Sequence, residues 1–102
     1  MFDWIKEFDG AVTVCDENFT IIYMNDTSIR DFNKYGGQSL IGQSLLDCHN
    51  EHSQKMIRQQ MKTGESHTYM KNKKDGRKKV IHQSPWLEKG KIKGLIEISF
   101  YM

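Results

Sequence analysis

Residues 9–25 read DGAVTVCDENFTIIYMN, and this stretch decides the fold class. Ala11 to Cys15 is short, apolar and β-branched, the composition of a strand. Asp16-Glu17-Asn18 supplies turn residues, and Thr20 to Met24 is again β-branched and aromatic. Two such runs across a short turn predict an antiparallel hairpin. Asp9-Gly10 breaks the chain ahead of the hairpin. Behind it, Asn25-Asp26-Thr27-Ser28 offers several side chains able to cap a helix.

Upstream of the hairpin, Phe2, Trp4, Ile5 and Phe8 predict an amphipathic helical segment over residues 1–8. Exposed aromatic residues of this kind need cover, so they are candidates for a dimer interface. Downstream, a short helix after Asn25 would bury Ile29 and Phe32 and end at Tyr35-Gly36-Gly37. Leu40, Ile41, Leu45 and Leu46 are apolar but interrupted by Gly42, which suits short helical turns. Residues 50–63 form the strongest helix signal, capped by Asn50 and stopped by Gly64. Met56, Ile57 and Met61 share one face of it, with Ser53 and Gln60 close by. His49 would lie near the same face if the helix began one turn earlier.

The rest reads as three strands, 66–73, 78–87 and 91–101, joined at Asp75-Gly76 and Lys89-Gly90. Val80, His82, Ser84 and Trp86 share one face by the two-residue period, as do Ile92, Ile96, Ile98 and Phe100 with Gly94 in the row. Pro85 cannot donate to a ladder, so a bulge or strand end is expected there. Two strands, a helical middle and three strands make an α+β protein. Its five-stranded antiparallel sheet would have helices packed on one face, with a pocket between that face and the helices. Tyr23, Asn25, His82, Ser84 and Trp86 combine aromatic bodies with polar tips, as pocket walls do. With His49, Ser53, Met56 and Gln60 they form the candidate ligand site.

The length of 102 residues suits one domain, with 9–102 as its core. Fifteen basic residues against thirteen acidic ones give a net charge of +2, which argues against a nucleic-acid partner. The densest basic cluster, Lys71, Lys73, Lys74, Arg77, Lys78 and Lys79, flanks Asp75-Gly76 and reads as a solvated hairpin tip. No run approaches the roughly 18 apolar residues needed to cross a bilayer. The first residues are not a signal peptide, so a cytoplasmic protein with reduced Cys15 and Cys48 is expected. Phosphate loops, GxSxG and HExxH are missing and the acids are scattered, so no enzyme is expected.

Three stretches of the chain resemble the PAS family. Asp9 to Asn18 with Ile22-Tyr23-Met24-Asn25 is similar to the family's opening hairpin. Gly37 through Leu40-Ile41-Gly42-Gln43-Ser44-Leu45 resembles the segment before its long helix. Ser84-Pro85-Trp86 with Gly90 and Gly94 to Ile98 resembles its closing hairpin. The resemblance implies a sensory or regulatory domain that binds a small molecule or cofactor, forms a homodimer and signals to a partner or output domain. A ligand-free dimerisation module is the alternative. Leu45-Leu46-Asp47-Cys48-His49 resembles a Cys-His subgroup associated with haem, which would make His49 the iron ligand; Asn50 follows where that subgroup has proline. Cys48, His49 and His52 are too few ligands for a structural zinc site without Cys15. Many members close on an acidic segment leading into a signalling helix, whereas this chain ends on Phe100-Tyr101-Met102.

Overall fold

The computed structural model describes residues 3–102, so Phe2 lies outside the described residues. Strands β1 (Ala11–Asp16) and β2 (Ile21–Met24) form the expected hairpin. Asn25 caps α1 (Asp26–Asp31), its side chain accepting from Ser28 N. Tight 3-10 turns follow at Asn33–Tyr35, Gly37–Leu40 and Leu45–Cys48, where the apolar residues are too interrupted to sustain a helix. Helix α2 (Glu51–Thr63) begins at Asn50, whose side chain accepts from Ser53 N. It stops at Gly64, with φ of 79°, a conformation that a side chain opposes. Strands β3 (His67–Asn72), β4 (Lys78–Glu88) and β5 (Lys91–Tyr101) complete one antiparallel sheet in the order β2-β1-β5-β4-β3.

The core lies between the helical segment and the inner face of β1, β2 and β5. Cys15, Ile21, Met24, Leu40, Leu45, Leu46, Ile57 and Leu95 fill it, with Phe19, Ile29, Phe32 and Met61 packed around them. The free edge of β2 is covered by backbone: Gly42 N donates to Ile21 O and Ile21 N to Gln43 O, each at 2.8 Å. The edge strand β3 is mostly exposed and carries Lys71 and Asn72 at its end, a polar composition that discourages edge pairing.

Three expectations need correction. Residues 3–8 form a turn, not a helix. Asp3 Oδ1 accepts from Ile5 N and Lys6 N at 3.2 Å, and Phe8 N donates back to Ile5 O. Pro85 sits inside β4 with no bulge of its own; β3 has ended by Gln83, so β4 carries no ladder on that side at Pro85. The bulge comes one residue later, between Trp86 and Leu87. It turns Ile92 out of the row of Ile96, Ile98 and Phe100 and towards the end of α2, where Ile92 Cδ1 lies 3.6 Å from the point a Cβ on Gly64 would occupy.

Candidate functional site

Strand parity decides what faces the helices. Leu95 is core, and it pairs with Pro85 on one side and Cys15 on the other. The inner face therefore carries Lys79, Ile81, Gln83 and Pro85 of β4, Tyr69 and Lys71 of β3, and Glu97 of β5. Two adjoining cavities open between this face and the helical segment, of about 500 and 320 Å³. The larger has Phe32, Leu40 and His49 as its roof; Ser53, Tyr69 and Lys71 line both. The volumes fall within or at the lower end of the range of small-molecule sites, roughly 300–1,000 Å³.

Three of the residues expected at the site are there. His49 lines the larger cavity, Met56 the smaller, and Ser53 both. His49 is held by the turn Leu45–Cys48: its Nδ1 lies 2.8 Å from Leu45 O, and since a carbonyl only accepts, Nδ1 carries the proton. That leaves Nε2 facing Glu97 Oε2 at 3.9 Å, with both side chains 14% exposed. Gln60 is wholly buried and lines neither cavity. Its Nε2 donates to Gln83 O at 3.3 Å, while its Oε1 has no partner among the described residues.

The other candidates lie elsewhere. Tyr23, His82, Ser84 and Trp86 share the outer face, away from the helices. His82 Nδ1 is bonded to Thr68 Oγ1 at 2.7 Å, and Ser84 Oγ to Ser66 Oγ at 2.9 Å. Trp86 Nε1 crosses Gly94 and donates to Cys15 O at 2.9 Å. Asn25 is buried and structural: its Oδ1 accepts from Val12 N and Ser28 N, and its Nδ2 donates to Ile5 O and Gly10 O. Of the interface candidates, Trp4 and Phe8 are exposed and stack edge to face with centroids 5.6 Å apart, and Ile5 is half-buried.

The residues missed in the sequence are the inner parity: Tyr69, Lys71, Lys79, Ile81 and Glu97. Lys79 is no part of a solvated tip. It is buried, and burial followed by the charge of Lys73 pulls its amine below the usual lysine range. Burial, then the charge of Glu97, raises the Tyr69 phenol. The signal available was Lys79 standing two residues from Ile81 in the period of a strand.

Neither metal chemistry fits these residues. Iron on His49 Nε2 would have to enter the 3.9 Å gap to Glu97, at a wall that also carries Asp47. No group of three or more His, Cys, Asp or Glu side chains is placed to hold a metal ion among the described residues. No helix among them is long and apolar enough to cross a membrane.

Among solved structures, VqmA bound to DPO is similar at 20% identity and a TM-score of 0.74, over 97% of this chain and 55% of that one. A Vibrio cholera VqmA–ligand–DNA complex is similar at 21% identity and a TM-score of 0.74, over 96% of this chain and 48% of the other. The PAS domain of the histidine kinase ThkA matches at 17% identity and a TM-score of 0.72, over 89% of this chain and 97% of that domain. The chain thus spans about half the length of the VqmA chains it matches. These likenesses carry the fold alone. No curated protein sequence is similar enough to count as a relative. The VqmA–DNA complex does overturn one expectation, that the near-neutral charge excludes nucleic acid. A charge balance over one domain says nothing of a partner held by the other half of a longer protein. The family model for the PAS domain matches residues 9–100, and with the sheet order and helical roof described above, the chain belongs to the PAS domain family of sensory signalling domains.

Proposed function

We propose that this domain senses a small molecule bound in the cleft between α2 and the inner face of β3, β4 and β5. The observation that carries this is the cleft itself. A cavity of about 500 Å³ roofed by Phe32, Leu40 and His49, with a floor bearing Lys79, Glu97 and Tyr69, is not how a packed core ends. Binding there would bridge the Leu45–Cys48 turn and α2 to the central strand β5. A ligand with different affinity for two arrangements of that turn would bias a partner's conformation. In the VqmA complex, ligand and DNA are bound by one protein, of which the matched part is about half. For this chain, a ligand-sensing domain that signals to a partner or a separate output is the reading that the cleft supports.

The test is ligand capture by the purified chain, followed by thermal shift and amide NMR. Binding should move the amides of Tyr69, Ile81 and Glu97 and leave those of His82 and Ser84 nearly unmoved. Ser53→Trp, which places an indole in both cavities, should lower affinity at least tenfold while the chain stays folded. Unaltered affinity in that variant would sink the reading.

A second reading, pairing of two copies through the outer face, rests on the exposed Trp4, Phe8 and Phe100. A monomer at high micromolar concentration in sedimentation would end it.

A further inference from the structure

We propose that the cleft has an anion-binding end built by Lys79, Lys71 and Lys73, and that the ligand is a small organic acid whose carboxylate or phosphate rests on their ammonium groups. This deepens the ligand-sensing reading and rests on it. Lys71 and Lys79 are direct cross-strand partners, so both project from the inner face of the β3–β4 hairpin. Lys73 lines the same cavity. Like charges set opposite each other in a sheet repel, and no ion pair offsets that repulsion among the described residues. None of the three has a carboxylate within 4.0 Å among the described residues.

Lys79 is the decisive member. It is 9% exposed and borders the cavity, yet its Nζ makes no hydrogen bond to any described residue. Two rings stand near it, Phe32 at 5.4 Å and Tyr101 at 5.7 Å from Nζ to the centroids. The stem of Lys79 is buried, while its ammonium group, beside rings and without a hydrogen bond from the protein, keeps the access through which an anion in the cavity would reach it. Asp31 and Glu97 act on it only from beyond ion-pair distance. Glu97 pairs with Gln83, four residues along β4, which is about 13 Å of strand from Lys79. The cleft is therefore dipolar, positive beside the hairpin tip and negative beside His49. Ile81 and Leu40 lie on its apolar surface. An organic anion aligned with this field would neutralise the lysines and keep its body on the apolar surface.

The test uses three probes built on one phenyl ring, benzoate, phenyl phosphate and uncharged benzamide, titrated into ¹⁵N-labelled chain. At least one of the two anions should bind at least about tenfold more tightly than benzamide, the gain of a charge-assisted contact. Its shifts should centre on the amides of Lys71, Lys79 and Ile81. Lys79→Met, which keeps the stem and removes the charge, should abolish the preference. Lys78→Met removes the same charge one residue away on the opposite face and should retain it. Inner-face binding without preference for an anion, or a preference surviving in K79M, overturns the anionic end and leaves the cleft reading standing. No inner-face shift from any of the three probes overturns both. If K79M fails to fold, as judged by circular dichroism, Lys71→Met replaces it with the same expectation at reduced size.

Discussion

Asn25 joins four backbone positions with one side chain: Val12, Ser28, Ile5 and Gly10. It caps α1 and ties the N-terminal turn to the start of β1. Its replacement by alanine would strip a buried cap and leave buried N–H and C=O groups without partners. Asn25→Ala should cost about 2–4 kcal/mol in urea denaturation, whereas the exposed cap Asn50→Ala should cost about 1 kcal/mol. Equal losses would refute the four-point account. Cys15 is also wholly buried, and burial lifts its thiol to about 11. The thiol then stays protonated in the folded chain while the unfolded chain ionises near 9.0. The unfolded state binds fewer protons in that interval, so stability falls as pH rises from about 9 to about 11, by up to roughly 2–3 kcal/mol. Denaturation at both ends of the interval, compared with Cys15→Ala, isolates this contribution. In the native protein, Ellman's reagent should titrate exposed Cys48 alone, and both thiols after unfolding.

The closing hairpin depends on one glycine. A Cβ on Gly94 would meet the Cys15 carbonyl oxygen and Trp86 Nε1, the pair whose hydrogen bond crosses that point. Gly94→Ala should cost more than about 3 kcal/mol, while Trp86→Phe, which loses that bond and part of the ring across Gly94, should cost about 1–2 kcal/mol. Thermal denaturation with tryptophan fluorescence distinguishes them. These strands also show where sequence reading succeeds. The two-residue period identified which residues share a face, and turn residues placed the hairpins and helix ends, because those effects are local. The period cannot say which face turns inward. In β4 and β5 the regular apolar row, Val80, Trp86, Ile96, Ile98 and Phe100, lies outside. The inner row looks less like a core because it borders a cavity, and Lys79, Gln83 and Glu97 interrupt it. For that reason the sequence pattern points to His82, Ser84 and Trp86 as pocket walls and not to Tyr69, Lys79 and Glu97. Ser53 is legible because the helix cap at Asn50 fixes where α2 begins; His49 reaches the cavity from the Leu45–Cys48 turn and not from a helix begun one turn earlier.

At the scale of the molecule, the sheet order places β5 between β1 and β4. The two hairpins touch in the sheet only through it. A chain cut after Gly90 should therefore give little stable structure by circular dichroism, since isolated two-stranded hairpins are marginal in water. The same order governs how the protein is born. The middle strand is the last of the five to leave the ribosome, and synthesis proceeds at about 5–20 residues per second. For the seconds between the first hairpin and the last strand, the nascent polypeptide is two unjoined ribbons whose apolar sides are open to chaperones and to other chains. The cleft is incomplete during that interval, because Glu97 arrives with β5 and the β3–β4 hairpin is joined to the rest of the sheet only by that strand. A ligand of the cleft could meet it only once β5 has emerged and paired between β1 and β4.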